Sequence, residues 1–166
     1  DWIDLADPVR AAIGRARHQL PASDITFAVE PGLPLIRGEA AALEQVVFNL
    51  LDNALKYSGA GHPVAIAVGA EGETIKLTIT DQGPGIPTGE LDRVFEKFYR
   101  LRRDDRGSPG TGLGLAICRA IVLGMNGTIH VESPVGERRG TRIVVSLPVA
   151  AYTRGTDDDP SERGSA

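Results

Sequence analysis

The chain is poor in the residues and patterns that mark several common classes of protein. It has one cysteine, Cys118, among 166 residues, which excludes an internal disulfide and a cysteine-based metal site. Its three histidines are scattered along the sequence and share no metal-ligand spacing. The apolar runs are too short to cross a bilayer, and the first residues lack the basic and apolar regions of a signal peptide. These absences favour a reducing, cytoplasmic setting.

An excess of basic charge is also lacking. The formal net charge of -4 at pH 7 weighs against nucleic acid as the main partner. With 42% hydrophobic and 24% charged residues, the composition is that of a globular chain, neither disordered nor membrane-embedded. We expect residues 1–151 to form one domain of ordinary size. We expect the polar, charged tail at 152–166 to be disordered.

The order of the predicted elements indicates an α/β fold. Asp7 followed by Pro8 predicts the N-cap and first position of a helix that reaches about Gln19. Alternating apolar and polar residues predict strands at 25–30, 63–70, 73–81, 128–133 and 141–148, with a turn at 71–72 and a short strand or extended segment at 33–38. Helical spacing predicts helices at 39–57 and 112–123, and a short helical stretch near 91–95. Because strands and helices interleave without strict alternation, we expect a mixed sheet with helices on one face.

The longest predicted helix, at 39–57, carries a polar row beside its apolar stripe. The stripe consists of Leu43, Val46, Val47, Leu50, Leu51, Ala54 and Leu55. Asn49, Asn53 and Lys56 stand at i, i+4 and i+7 and share a different face. An amide oxygen is a hard, neutral ligand that suits Mg²⁺, and an ammonium group can bind phosphate oxygens. The row therefore indicates a metal and phosphate site, although an ordinary solvated face has the same pattern.

A first glycine loop, Asp-Gln-Gly-Pro-Gly-Ile-Pro at 81–87, follows an apolar strand. Its glycines let the backbone turn sharply and approach a flat ligand. A buried carboxylate at a strand end, here Asp81, can accept a hydrogen bond from an exocyclic amine such as adenine N6. An ordinary turn is the alternative interpretation, since glycine and proline dominate turns.

A second glycine loop, Pro-Gly-Thr-Gly-Leu-Gly-Leu at 109–115, opens a predicted helix. Glycines at a helix N-terminus expose backbone N–H groups to an anion, and the helix dipole adds to the attraction. The loop matches neither the Walker A pattern nor the dinucleotide-binding pattern. It favours phosphate binding over a merely flexible turn.

Together these motifs closely resemble those of the histidine-kinase catalytic domain in the gyrase, Hsp90, histidine kinase and MutL superfamily. The asparagine box is VVFNLLDNALKYS at 46–58, and the first glycine box is DQGPGIP at 81–87. The phenylalanine box is FEKFYR at 95–100, the second glycine box is GTGLGLA at 110–116, and Gly140-Thr141 matches a third, weaker box. FEKFYR followed by GLGLAICRAIV is most similar to the Kdp-type potassium sensor kinases. The resemblance implies a two-layer α/β sandwich of the Bergerat type, with ATP between the helices and a mobile lid.

The resemblance also implies a role for each matched residue at the phosphates. It implies that Asn53 ligates Mg²⁺, that Asn49 and Lys56 support the metal and the phosphates, and that Arg100 steadies the γ-phosphate. Backbone N–H groups of the second glycine box would meet the phosphates, and the residues concerned are Gly110, Gly112, Leu113 and Gly114.

At the base, the resemblance implies that Asp81 accepts a hydrogen bond from adenine N6. Gly83 and Gly85 would let the base approach the loop. Tyr57 and Ile86 would pack on the adenine ring, and Thr141 would complete its polar surroundings. Phe95 and Phe98 are expected to anchor the lid on the core, and Arg102, Arg103 and Arg106 to be solvated lid charges. We expect Cys118 to be a small buried residue.

Transfer rather than hydrolysis is the expected reaction. In the ATPase branches of the superfamily, a glutamate four residues before the metal-binding asparagine activates water. Asn49 holds that position here, and a carboxamide is not a useful base near neutral pH. Catalysis would then depend on positioning ATP and screening charge.

The sequence context of the histidines predicts that the phosphoacceptor is elsewhere. No histidine here has the acceptor's context, and none has an acidic neighbour arranged to make it a base. We therefore expect a separate dimerisation and phosphoacceptor domain, and a response regulator, as partners, and a monomeric fragment that is not membrane-embedded. An anti-sigma-factor serine kinase, a degenerate binding module and an ATP-hydrolysing clamp are the alternatives.

Overall fold

The computed structural model describes residues 1–20, 24–59, 61–91, 93–96, 114–135 and 139–149. Its helices are α1 (Ala6–Gln19), α2 (Ala40–Ser58) and α3 (Gly114–Gly124), with a short 3₁₀ helix at Thr88–Glu90. Its strands are β1 (Trp2–Ile3), β2 (Ile25–Val29), β3 (Ile36–Arg37), β4 (Val64–Glu71), β5 (Thr74–Asp81), β6 (Thr128–Glu132) and β7 (Thr141–Pro148). None of the helices in these ranges has the length and apolar character needed to cross a membrane.

Five strands form one mixed sheet in the order β2-β4-β5-β7-β6. β2 runs parallel to β4, and the other neighbours are antiparallel. Along β5, Ile75, Leu77 and Ile79 are buried while the residues between them are half-buried, so one face of the sheet carries the core. The three helices cover that face, which confirms the predicted two-layer α/β fold with a mixed sheet.

The apolar stripe of α2 lies at the centre of the core. All its residues from Leu43 to Ala54 are buried, and Leu55 is half-buried. Leu50 and Leu51 are fully enclosed between the sheet and the neighbouring helices. Burying side chains of this size stabilises a fold by about 1.5–3 kcal/mol each. The core thus fixes the rotation of α2 about its axis, and with it the direction of its polar row.

The start of α1 differs from the prediction. The helix begins at Ala6, after Leu5, and the Asp4 carboxylate accepts the Ala6 N–H at 3.0 Å. Asp7 lies inside the first turn, 3.6 Å from the Arg10 guanidinium, so its assignment as the N-cap is wrong. Asp4 instead supplies the acceptor for the Ala6 N–H, which has no partner within the helix. Pro8 is tolerated within the first helical turn because the amides there lack intrahelical partners.

Three shorter elements also differ from the sequence-based expectation. The two-residue strands β1 and β3 form a separate antiparallel pair. Of the segment 33–38, expected as a short strand or an extended segment, only Ile36–Arg37 forms a strand. Glu71 belongs to β4, and the tight turn lies one residue later, where Gly72 has a φ of 59°. In place of a helical stretch near 91–95, the chain forms the 3₁₀ helix at Thr88–Glu90, and the described residues after it form turns.

Candidate functional site

The first glycine loop begins where β5 ends, at a buried carboxylate. Asp81 is only 7% exposed, and its Oδ1 accepts the Gly83 N–H at 2.8 Å. Strand alternation puts Asp81 on the same face as Ile79, towards the helices. Burial raises the pKa of Asp81, and hydrogen bonds from the backbone of Gly83 and of Thr141 offset part of that rise. The carboxylate is thus a buried acceptor aimed at the helical layer.

Thr141, the first residue of β7, lies directly opposite Asp81 in the sheet. It is also 7% exposed, and the two are among only three buried polar or charged residues in the described part of the chain. The structure therefore brings together the two polar residues that the resemblance assigns to the base. A buried polar pair of this kind is costly unless it has hydrogen-bonding partners.

The C-terminal end of α2 packs directly on the first glycine loop. A Cβ at Gly83 would lie 2.6 Å from the Tyr57 carbonyl oxygen, so only glycine fits there. The Ser58 hydroxyl accepts the Gln82 N–H and donates to the His62 carbonyl oxygen, each at 3.3 Å. Tyr57, 37% exposed, is thereby placed beside the loop, and its packing on the adenine ring stays a prediction.

The connection between β6 and β7 holds the other side of this loop. The Ser133 hydroxyl accepts the Ile86 N–H at 2.8 Å and donates to the Gly140 carbonyl oxygen at 2.9 Å. The Gly140 N–H in turn donates to the Gly83 carbonyl oxygen at 2.9 Å. Gly85 has a φ of 84°, and a Cβ there would meet the Ser133 hydroxyl at 2.9 Å. Ser133 was missed by the sequence reasoning, since a lone serine before a proline carries no signal of this contact.

The polar row of α2 is more heavily bonded than the sequence suggested. The Asn49 Oδ1 accepts a hydrogen bond from Gln45 Nε2 at 2.8 Å. Lys56 forms an ion pair with Asp52, with Nζ and Oδ2 2.8 Å apart. Asn53 is half-buried, and in the described part of the chain its carboxamide has no hydrogen-bond partner. Asp52 was missed, although its i, i+4 spacing from Lys56 is typical of a helical ion pair.

Helix α3 packs against α2 at the level of Asn49. Cys118 is fully buried, as expected, and its thiol points to the Val46 carbonyl oxygen at 3.6 Å. Burial raises the pKa of the Cys118 thiol to about 12, and a hydrogen bond from Asn49 offsets part of this rise. Helix α3, whose N-terminal end is predicted to bind phosphate, therefore packs beside the polar row of α2.

Several predicted residues lie outside the described residues: Arg100, Gly110, Gly112, Leu113, Phe98, Arg102, Arg103 and Arg106. Gly114 is described as the first residue of α3 and has open space around it. Phe95 is half-buried. Their roles at the phosphates and in the lid stay predictions.

His130 and a cavity beside Asp81 are two further features of the described residues. His130 Nε2 lies 3.3 Å from Glu132 Oε1, so this histidine does have an acidic neighbour, contrary to expectation. A cavity of about 400 Å³ is lined by His62, Thr80, Asp81, Gln82, Val135, Arg139 and Gly140. The buried carboxylate of Asp81 is therefore part of the lining of this cavity. Among the described residues, no three His, Cys, Asp or Glu side chains form a cluster that could hold a metal.

Comparison with known proteins places these features in a family context. Residues 38–151 match the family model described as histidine kinase-, DNA gyrase B-, and HSP90-like ATPase. The chain is 38% identical to the signal transduction histidine-protein kinase/phosphatase MprB of Mycobacterium tuberculosis, over 99% of this chain and 34% of that protein. It is 40% identical to the sensor protein KdpD of Escherichia coli, over 89% of this chain and 16% of that protein.

A solved structure gives the same result. The structure of a mycobacterial sensor histidine kinase MprB matches with a TM-score of 0.81 at 34% identity, covering 89% of this chain and 97% of that one. The chain spans about a third of the full length of the MprB proteins that it matches. The described fold is therefore similar to one portion of much longer proteins.

Proposed function

The chain belongs to the histidine kinase-, DNA gyrase B-, and HSP90-like ATPase family, and from that premise we propose how its residues bind and use ATP. Its relatives by sequence and by structure are sensor histidine kinases, so the domain is the ATP-binding catalytic domain of a kinase of this type. The proposed reaction is transfer of the ATP γ-phosphoryl group, in the presence of Mg²⁺, to a histidine on a separate dimerisation domain.

The buried Asp81 carboxylate is the observation that carries the base-binding part of this proposal. It lies at the end of an interior strand, faces the helices and accepts hydrogen bonds from the backbone of Gly83 and of Thr141. A carboxylate has about four acceptor sites, so it keeps capacity for a further donor. An amine donor such as adenine N6 supplies the kind of partner that a buried carboxylate needs. Ile86 lies in this loop, Tyr57 and Thr141 lie on elements beside it, and Gly83 and Gly85 keep the loop backbone close to its neighbours.

The polar row of α2 is proposed to serve the phosphates and the metal. The carboxamide of Asn53, which has no hydrogen-bond partner among the described residues, suits Mg²⁺. This ion takes a protein oxygen together with water and phosphate oxygens. When bound, Mg²⁺ would screen negative charge on the phosphates. Lys56, which forms an ion pair with Asp52, would contribute positive charge to binding of the phosphates. Asn49 would lie on the side of the row nearer α3. Arg100, Gly110, Gly112, Leu113 and Gly114 complete the proposed phosphate site.

The proposed step is a direct transfer. The unprotonated imidazole nitrogen forms a bond to Pγ, the bond from Pγ to the β,γ-bridging oxygen breaks and ADP leaves. The ring then releases the proton on its other nitrogen to solvent. Asn49 offers no base for water, and its oxygen is already occupied by Gln45. The chain therefore acts by holding ATP in place and by excluding competing hydrolysis.

The partners and setting follow from the same proposal. The acceptor histidine would come from the dimerisation domain of the same kinase, and a response regulator would take the phosphoryl group onward. We propose a cytoplasmic location for this domain and a monomeric state when it is separated from its dimerisation domain.

Labelled ATP tests the transfer directly. The chain is incubated with γ-labelled ATP and Mg²⁺, with and without a dimerisation domain supplied in trans. Acid-labile label should appear only on the added domain. Stable label on the chain itself, or steady release of inorganic phosphate without the partner, would count against transfer to a histidine elsewhere.

A substitution tests the metal role of Asn53. Asn53→Ala should keep the fold, because the side chain is only half-buried, but should lose the Mg²⁺-dependent part of ATP affinity in calorimetry. Asp24→Ala, which changes a side chain before β2 and outside the site, is the matched control. An unchanged Mg²⁺ dependence in Asn53→Ala would remove this residue from the metal site.

A further inference from the structure

A chain of hydrogen bonds runs from the surface of α1 to the polar row of α2. The Arg15 guanidinium donates to Gln45 Oε1 at 3.2 Å, and Gln45 Nε2 donates to Asn49 Oδ1 at 2.8 Å. The same guanidinium lies 3.9 Å above the centroid of the Phe48 ring, within the range of a cation–π contact. Arg15 is thus held against α2 by two contacts.

The chemistry of arginine fixes the direction of this chain. A guanidinium has donors and no acceptor, so Gln45 must turn its oxygen towards Arg15. The Gln45 amide nitrogen then faces Asn49 and donates a hydrogen bond, so Asn49 must accept it with its carboxamide oxygen. With its oxygen occupied by Gln45, Asn49 presents its carboxamide nitrogen on the opposite side of the amide group. Each end of the Asn49 amide therefore has an assigned direction.

We propose that Gln45 and Arg15 are positioning residues that hold the Asn49 carboxamide with its oxygen turned away from the nucleotide. An amide nitrogen carries two N–H donors, which are of the kind that binds a phosphate oxygen. Asn49 then acts as a hydrogen-bond donor to the phosphates, while Asn53 alone supplies an amide oxygen to the metal. This inference rests on the proposed function and divides its phosphate site into a donor position and a ligand position.

The division has a measurable signature in the Mg²⁺ dependence of binding. A residue that contacts phosphate should change the affinity for ATP by a similar factor with Mg²⁺ and with the metal chelated. A metal ligand should change only the difference between the two conditions. Calorimetry with the present chain, in Mg²⁺ and in chelator, separates these cases.

Gln45→Glu is the informative substitution. A carboxylate at 45 still accepts from Arg15 but cannot donate to Asn49, so the Asn49 amide loses its fixed direction. ATP affinity should fall about tenfold, the loss typical of a hydrogen bond to a charged group, both with and without Mg²⁺. Gln45→Leu, which removes the donor without adding charge, should give a similar loss.

Three further variants test the effect of charge and the role of Arg15. Ala41→Glu puts a new carboxylate one helical turn earlier on the same row, at an exposed position, and should bind ATP as the parent chain does. Arg15→Lys keeps a donor-only cation and should retain most of the affinity, whereas Arg15→Gln can both donate and accept and should weaken ATP binding about threefold, a fraction of one hydrogen bond. Thermal unfolding of each variant shows that the fold is intact.

The outcomes distinguish this inference from the function on which it rests. If Gln45→Glu and Gln45→Leu bind ATP like the parent chain while Asn53→Ala loses its Mg²⁺ dependence, the positioning role is wrong and the nucleotide site stands. If Gln45→Glu changes only the Mg²⁺ dependence, Asn49 is a metal ligand and the inference is overturned. If the parent chain fails to bind ATP at all, the proposed function fails first.

Discussion

The closest backbone approach in the site gives a prediction with a definite size. In Gly83→Ala, the new methyl group would lie 2.6 Å from the Tyr57 carbonyl oxygen and 3.1 Å from Asp81 Oδ1. The loop or the end of α2 must move by about 0.8 Å before that contact becomes ordinary. Both neighbours are fixed by the core, so overpacking should cost about 1–3 kcal/mol of unfolding free energy. The same shift should disturb the 2.8 Å bond between Gly83 and Asp81.

The assay has a stability arm and a binding arm. Urea unfolding should show a lower midpoint for Gly83→Ala, and calorimetry should show ATP affinity reduced about tenfold, since a buried acceptor loses its alignment. Gly14→Ala is the matched control, because its Cβ meets nothing within 4 Å in the middle of α1. That variant should gain roughly 0.5–1 kcal/mol and bind ATP normally. Parent-like stability and affinity in Gly83→Ala would refute the reasoning.

The other predictions concern the buried polar groups. Because burial raises the pKa of Asp81, the contribution of its carboxyl to stability is full at low pH and is lost as pH rises through its folded pKa. Asp81→Asn should therefore raise the urea midpoint at neutral pH and flatten the pH dependence of that midpoint. The same substitution should weaken ATP binding. An unchanged pH profile would contradict this. Ser133→Ala should cost about 1–3 kcal/mol, because the Ile86 N–H loses its acceptor, and should raise the KM for ATP more than it lowers kcat; a loss confined to kcat would argue otherwise. With its thiol pKa raised to about 12, Cys118 should resist a thiol reagent at pH 8 until urea unfolds the chain, and rapid labelling of the folded chain would be the contrary result.

The architecture could be predicted from the sequence because its signals were periodic. The buried stripe of α2 and the alternation of β5 each extend over many residues, so the core fixes them strongly. The cap of α1 and the pair formed by β1 and β3 depend on single hydrogen bonds and two-residue contacts. Such contacts are decided by distance in space, and the sequence does not encode that distance locally.

The site divides along the same line. Asp81, Thr141 and the end of α2 were expected to come together, and the structure places them on adjoining elements. The hydroxyl of Ser133 and the amide of Gln45 were not predicted, because their partners lie 47 residues away and one helical turn away, respectively, with no motif to mark them. Polar groups that support a site are fixed by tertiary packing, so a search for liganding residue types passes over them.

Asp81 ends a strand that has a hydrogen-bonded neighbour on each side, whereas β2 and β6 form the two edges of the sheet. Edge strands open more readily than interior ones, so backbone amides along β5 should be among the last to exchange with deuterated water. The acceptor proposed to recognise the base is therefore anchored in the slowest-opening portion of the domain. A molecule whose edges have transiently frayed still presents that carboxylate in its native position.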